Sequence, residues 1–407
     1  MEQNKQIVVI ADDFTGAAEI SGIGLRHGLK VRIETGVVED SELDMLVIAT
    51  DTRSMAPTEA AEYIKKLAGK IMELNPVMVY KKIDSVLRGN VTVELAAQMK
   101  VMGLKRTIII AGNPLFKRIV KEGKYFINNI PLDKTSFSND PQHPVRSNDV
   151  IEILDHPADI RVVSRKPGQD LPPDGLVIGD VETMEDLDLW AGKSDGNTLF
   201  AGASGFFNSL LMNNRYTGRR NGIQAEPFSG KTLFILGSSF LKDDDQLKKM
   251  IRNDHVHSNM PEVIYYSIEC PEKEFSEWVN EIAGYLENNR KVIVSSFHNN
   301  VKDKGIFLRI KKIMAELVRR VMDEVKIDEL LIEGGSTASE ILNSLEVKNL
   351  CPVQELEFGV IRMKVSDRPG LFLTTKPGSY KWPESVWEKK EILKLNQKPR
   401  ENISLYG

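Results

Sequence analysis

The run Ala11-Asp12-Asp13-Phe14-Thr15-Gly16-Ala17 follows a short apolar stretch, Ile7–Ala11, and opens a helical pattern. In open α/β sheets, ligands collect beyond the carboxyl ends of strands. Asp13 or Thr15 suits a helix cap there, but a cap does not account for two adjacent carboxylates. Such a pair can accept hydrogen bonds from a polyol, hold Mg2+ or take up a proton. A second strand end carries Lys81-Lys82-Ile83-Asp84-Ser85-Val86-Leu87-Arg88-Gly89-Asn90, and strand alternation puts Lys82 and Asp84 on one side. Lys82 and Arg88 together can clamp a carboxylate, arginine through two parallel hydrogen bonds. A surface ion pair is the plain alternative, yet three such charges at one strand end favour a site. Asp51-Thr52-Arg53-Ser54 ends a third apolar run and brings Arg53 to the same pocket.

The second half has strand-end loops of another kind. Ile332-Glu333-Gly334-Gly335-Ser336-Thr337 leads into a helix, where Thr337 and Glu340 fit a capping box. Its glycines also let backbone N–H groups approach an anion at the positive helix end. Gly237-Ser238-Ser239 offers hydroxyls and amides, and Lys376-Pro377-Gly378-Ser379 offers Lys376 as a phosphate contact. Small residues and one lysine at three strand ends read as a nucleotide pocket. Two phosphate-loop near-misses do not: Gly230-Lys231-Thr232 precedes a strand, and Gly22-Ile23-Gly24 falls inside the first helix. The histidines form no metal-protease motif, and His255 with His257 lacks a third ligand.

Alternating elements must position these groups. Strands are expected at Ile7–Ala11, Val31–Glu34, Met45–Ala49, 77–81 and 107–111, with helices over 58–74 and 92–102, the latter stopped by Gly103. Residues 112–175 read as a long inserted loop, and 176–179 resume the pattern. The polar stretch 213–230 is the expected linker. Beyond it, strands are expected at 232–236, 263–268, 292–295, 329–332 and 371–374, with helices near 243–252, 272–289, 304–324 and 337–346. Strands alternating with helices imply parallel βαβ units. The fold class is therefore α/β with two domains, each a mostly parallel sheet flanked by helices, and a site in the cleft between them.

At 407 residues, two domains are the natural division. A net charge of −4 argues against a protein built to hold nucleic acid. No apolar run is long enough for a membrane span or a signal-peptide core, so a cytoplasmic enzyme is expected. Cys270 and Cys351 form no C-x-x-C pair and are expected as free thiols.

Taken together, these residues resemble the four-carbon acid sugar kinase family. The resemblance rests on A-D-D-F-T-G-A (11–17), D-T-R-S (51–54), K-K-I-D-S-V-L-R-G-N (81–90), D-P-x-x-P-V-R-S (140–147), G-S-S (237–239) with Gln246, G-G-S-T (334–337) and K-P-G (376–378). It implies a sugar-acid-binding domain over 1–220, a nucleotide-binding domain over 230–400, and ATP with Mg2+ as cofactors. It implies substrate contacts from Asp12, Arg53, Lys82, Ile83, Asp84, Ser85 and Arg88. It implies ATP contacts from Ser238, Gly334, Gly335, Ser336, Thr337 and Gly378. The chain departs from the family at Ser336, where an acidic residue is usual, and at Pro377, Phe240 and Asn113-Pro114-Leu115.

The expected reaction is transfer of the ATP γ-phosphoryl to a terminal hydroxyl of a short acid such as D-threonate, D-erythronate or a 3-oxo-tetronate. Arg53, Lys82 and Arg88 would hold the substrate carboxylate. Asp12 or Asp84 would bind hydroxyls, and one of them would accept the proton. An NAD-linked dehydrogenase is the competing class, disfavoured by the missing G-x-G-x-x-G, and a non-catalytic sugar-acid-binding protein is the third. Oligomeric state stays open, with a homodimer compatible.

Overall fold

The computed structural model describes residues 6–40, 42–140, 143–154, 160–193, 195–216, 218, 228, 230–237, 256–296, 304–378 and 380–386. The first half supplies β1 (Ile7–Ala11), β2 (Val31–Glu34), β3 (Met45–Ala49), β4 (Met78–Lys82), β5 (Arg106–Ile110), β6 (Arg118–Lys121), β7 (Lys124–Ile127), β8 (Ile130–Pro131), β9 (Val162–Arg165), β10 (Gly175–Gly179) and β11 (Thr198–Gly202). Its helices are α1 (Phe14–Arg26), α2 (Pro57–Glu73), α3 (Val91–Met102), α4 (Val150–Ile153), α5 (Met184–Ala191) and α6 (Ser204–Asn213). The second half supplies β12 (Thr232–Leu236), β13 (Val256–Asn259), β14 (Lys291–Ser295), β15 (Glu329–Glu333), β16 (Asn349–Glu357), β17 (Val360–Val365) and β18 (Phe372–Lys376). With them come α7 (Glu262–Tyr266), α8 (Glu272–Asn288), α9 (Lys304–Glu324) and α10 (Gly335–Ser344).

Both halves belong to one 15-stranded sheet. Second-half strands run β13-β14-β12-β15-β18-β17-β16, and first-half strands continue as β2-β3-β1-β4-β11-β5-β10-β9. The seam is a short antiparallel pairing of β16 with β2, Asn349 opposite Glu34 and Leu350 opposite Ile33. Helix α1 crosses it and packs on β16, β17 and α10. Gly22 makes that approach possible, because a Cβ there would stand 2.5 Å from the Ile361 side chain.

Register decides what meets at the strand ends. Ala11 lies opposite both Ala49 and Lys82, so the turns after β1, β3 and β4 abut. Leu236 lies opposite Glu333, which lies opposite Lys376, so the turns after β12, β15 and β18 abut as well. The central strands are buried on both faces, matching their continuous apolar sequence.

Several expectations need correction. The expected strand at 263–268 is helix α7, started by Pro261; Ile264 and Tyr265 point inward while Val263 and Tyr266 are exposed. The strand of that region is β13, just before it. The insert is not plain loop: it carries the antiparallel sheet β6-β7-β8, helix α4 and strand β9. The antiparallel pair β16 and β17 was not expected from the alternating pattern at all. The helix expected near 243–252 lies outside the described residues.

Candidate active site

One pocket spans the two clusters of strand ends. From the first half it is lined by Asp13, Lys82, Asp84, Ser85 and Arg88, and from the second by Gly334, Gly335, Ser336, Thr337 and Gly378. Asp13 caps α1, accepting from the Gly16 N–H at 2.8 Å and from Thr15 Oγ1 at 2.8 Å. Asp12, one residue earlier, points the other way into the Arg53 fork. Arg53 Nε donates to Asp12 Oδ2 at 2.9 Å and Nη2 to Oδ1 at 2.8 Å. Its remaining nitrogen, Nη1, reaches Asp13 Oδ2 at 3.1 Å and stands 3.7 Å from Asp84 Oδ1.

Asp84 is gripped from its other side. Arg88 donates Nε and Nη2 to its two oxygens, both at 2.8 Å, and Nη1 to Asp140 at 2.8 Å. The backbone N–H groups of Val86 and Arg88 also donate to Asp84. This wrap needs Leu87 in the left-handed region, at φ 64, an unusual conformation for a bulky residue that marks a held functional turn. Burial pushes the Asp84 carboxyl up, but Arg88 and Arg53 outweigh it and hold it far below the usual range. Burial acts likewise on Asp13, and there Arg53 and Lys82 bring the net shift below the ordinary value.

The Arg53 turn is braced from beneath. Buried Lys81 pairs with Glu94, which accepts from Thr52 Oγ1 at 3.0 Å, and Asn90 Nδ2 donates to the carbonyls of Thr52 and Met55. Gly89, at φ 88, lets the next loop pass Arg53, where a Cβ would stand 2.6 Å from its Cγ. Asp51 begins that turn at φ 52, and among the described residues its carboxylate takes one 3.5 Å hydrogen bond, from Ser54. Burial pushes its pKa up to about 6; Lys311 opposes this and the negative Asp13 adds to it.

In the second half, α10 begins at Gly334, whose φ of 94 only glycine adopts readily. The expected Thr337–Glu340 capping box does not form: Gly334 is the cap, with no side-chain bond, and Glu340 faces Lys311 at 3.9 Å. Among the described residues, nothing accepts from the backbone N–H groups of Gly335, Ser336 and Thr337. A Cβ on Gly335 would stand 2.8 Å from Asp13 Oδ2 and 2.9 Å from Thr15 Oγ1, so the two helix N-termini nearly touch across the cleft. Lys376 is not a phosphate contact. It is wholly buried, pairing with Glu333 at 2.8 Å and donating to the carbonyls of Pro377 and Tyr380. Ile83 also stays out of the pocket: its side chain sits in the core, its N–H meets Gly202 and its carbonyl accepts from Lys82. Ser238, Ser239, Phe240, Gln246 and Ser379 lie outside the described residues.

A family model for a sugar-binding N-terminal domain matches residues 7–210, and one for a nucleotide-binding C-terminal domain matches residues 233–380. The chain belongs to the four-carbon acid sugar kinase family. It is 31% identical to a D-threonate kinase of Salmonella typhimurium over 225 residues, 50% of this chain and 53% of that one, so it matches about half the length of that relative. It is 23% identical to a 3-oxo-tetronate kinase of Haemophilus influenzae over 91% of this chain and 96% of the other. The solved Haemophilus influenzae protein HI1011 shares the fold, with a TM-score of 0.68 at 19% identity over 93% of this chain and 98% of that one.

Sequence reasoning gave no role to several pocket residues, Glu19, Arg118 and Tyr380 among them. Glu19 sits one turn beyond Thr15 on α1 and gathers Ser204 Oγ at 2.9 Å, the Tyr380 hydroxyl at 3.1 Å and, at 3.7 Å, Lys82. A lone acid on an otherwise apolar helix was the available signal. Asp51 was placed at the pocket with its strand-end motif, as the structure has it, but given no individual role. Arg118 and Tyr380 carried no motif signal, since the first lies in the segment read as loop and the second follows the last strand.

Proposed function

We propose that the chain is an ATP-dependent kinase that phosphorylates a terminal hydroxyl of a short sugar acid: D-threonate, D-erythronate or a 3-oxo-tetronate, the acids for which its relatives are named. The observation that carries this reading is the meeting of two unlike ends. Three amide donors at the positive end of α10, unpaired among the described residues, suit phosphate oxygens, and they open directly onto Asp13 and the charged wall of the other half.

In this reading the acid lies along the wall from Asp13 to Arg88. Asp84, fixed by Arg88 and two amides, accepts hydrogen bonds from substrate hydroxyls. The reacting hydroxyl lies at the Asp13 end, beside α10. Asp13 accepts its proton in place of the two candidates suggested by sequence, because Asp12 is turned into Arg53 and Asp84 is gripped by Arg88. Lys82, whose charge acts on Asp13, stands at the same end and balances the transferred phosphoryl. Positioning and charge neutralisation supply most of the rate in such transfers.

The donor set fits Mg2+. Asp51 presents a hard carboxylate with, among the described residues, a single long hydrogen bond; burial raises its pKa against Lys311, and the negative Asp13 adds to the rise, a repulsion that a divalent ion would relieve. Mg2+ would supply charge neutralisation to the ATP phosphates there, held by Asp51 with phosphate oxygens and water. ATP use also suits a cytoplasmic location, and no helix among the described residues is long and apolar enough to cross a membrane.

A coupled assay for ADP release across threonate, erythronate, their 3-oxo forms and other short acids tests the proposal. Turnover with at least one four-carbon acid is expected. No turnover with any acid, or turnover dependent on NAD, would sink it.

A further inference from the structure

The pocket must hold the carboxylate that all these substrates share, and its cations are not equally available for that work. Arg53 spends its fork on Asp12 and its third nitrogen on Asp13. Arg88 spends its fork on Asp84 and its third nitrogen on Asp140. Lys82 donates to the Ile83 carbonyl and has Glu19 nearby, at 3.7 Å. Displacing any of these carboxylates would leave a buried charge uncompensated.

Arg118 differs. It leads β6, in the insert, and reaches the pocket beside Ser85. Among the described residues its guanidinium meets the Ser85 hydroxyl and the Phe137 ring, 5.8 Å from the centroid, and no carboxylate. Its charge is felt at the Tyr125 and Tyr380 hydroxyls. A half-buried guanidinium held by one neutral hydroxyl and an aromatic face keeps most of its donors available for a planar, doubly hydrogen-bonded anion.

Its place also suits a carboxylate better than a phosphate. Contacts run from Gly335 to Asp13, from Asp13 to Arg53, from Arg53 to Asp84, and Ser85 then leads to Arg118. Phosphoryl transfer belongs to the Gly335 end of this series of contacts, which leaves its Ser85 and Arg118 end to receive the acid group.

We propose that Arg118 is the carboxylate receptor of the sugar acid, with Ser85 and Phe137 fixing the plane of its guanidinium. The inference deepens the sugar-acid kinase reading and rests on it. It moves carboxylate recognition from Arg53 and Arg88, which serve to hold Asp12 and Asp84.

The test compares the wild-type chain with Arg118→Gln and Arg118→Lys, using the acid that turns over best and the neutral amide of that acid. Loss of charge-assisted hydrogen bonds should raise KM for the acid roughly 10- to 100-fold in Arg118→Gln. KM for ATP should stay within about twofold, and KM for the amide should barely move, because the amide never drew on the charge. Arg118→Lys keeps a cation over Phe137, so it should melt like wild type and still lose acid affinity, having no fork. Equal changes for acid and amide, an unchanged acid KM in both variants, or a rise in KM for ATP instead would overturn the assignment while leaving the kinase reading intact. A wild-type chain that turns over no acid would overturn both.

Discussion

Replacing Asp51 with Asn should make the protein more stable and less active. Asp51 is half-buried, and its pKa is pushed from 3.8 up to about 6, chiefly by burial. A shift of that size corresponds to a ceiling of about 3 kcal/mol against the ionised native state. Partial exposure, with its solvent screening, reduces the realistic figure to about 1–2 kcal/mol. The sign follows from proton counts. Between the unfolded and folded pKa values the native state holds more protons, so stability falls as pH rises through that window and levels off above it. Asn adds no backbone strain, because Asp51 sits at φ 52, a conformation that Asn tolerates, and its side chain caps nothing. Thermal melts of both proteins should therefore show Asp51→Asn above wild type near pH 8, with the gap closing toward about pH 4. Kinase turnover should fall about 10-fold or more, because the variant loses a carboxylate from the phosphate side of the pocket. A variant that melts no higher than wild type near pH 8, or whose advantage is the same at both pH values, would refute the electrostatic reasoning. Undiminished turnover would remove Asp51 from the site.

Arg88→Ala leaves the buried Asp84 with two backbone N–H donors and, as its nearest cation, only Arg53 at 3.7 Å, so urea unfolding should show a loss of about 3 kcal/mol; a midpoint equal to wild type would mean that Asp84 is not held as described. Gly335→Val places a side chain against Asp13 and Thr15, and ATP should then no longer raise the melting temperature. An undiminished ATP-induced shift would clear α10 of phosphate binding. Tyr380→Phe removes the hydroxyl that joins the last loop to Glu19, which should cost about 1 kcal/mol and slow turnover severalfold. Unchanged kinetics would make that bond structural only.

Much of the fold was legible because the strands are local and apolar. The expected β1, β2, β3 and β12 match the observed bounds, as does α9, each a run with a clear period and punctuated ends. The failures have physical causes. The run at 263–268 is too short for periodicity to separate strand from helix, and Pro261 tips it to helix. The β16–β17 pair depends on long-range pairing with β2 and β18, which no local pattern encodes. For the site, the charged motifs were found but their facing was not. Asp12 and Asp13 are neighbours in sequence, yet one points into Arg53 and the other into the pocket.

The sequence alone determined the class of chemistry: carboxylates, lysine and arginine at three strand ends, and glycines at a helix start in the other half. These are properties of residue type and local spacing, and they survive without coordinates. The tertiary structure decided which charges are already spent. Arg53, Arg88 and Lys376 look alike on paper to any free cation, but each is neutralised in the fold: Arg88 by Asp84, four residues back in its own loop, and Arg53 and Lys376 by Asp12 and Glu333, which only folding brings close. Arg118, from an unpromising segment, meets no carboxylate among the described residues and keeps its charge for a ligand. Charge availability depends on register and burial across the whole sheet, and a linear chain does not specify it by spacing.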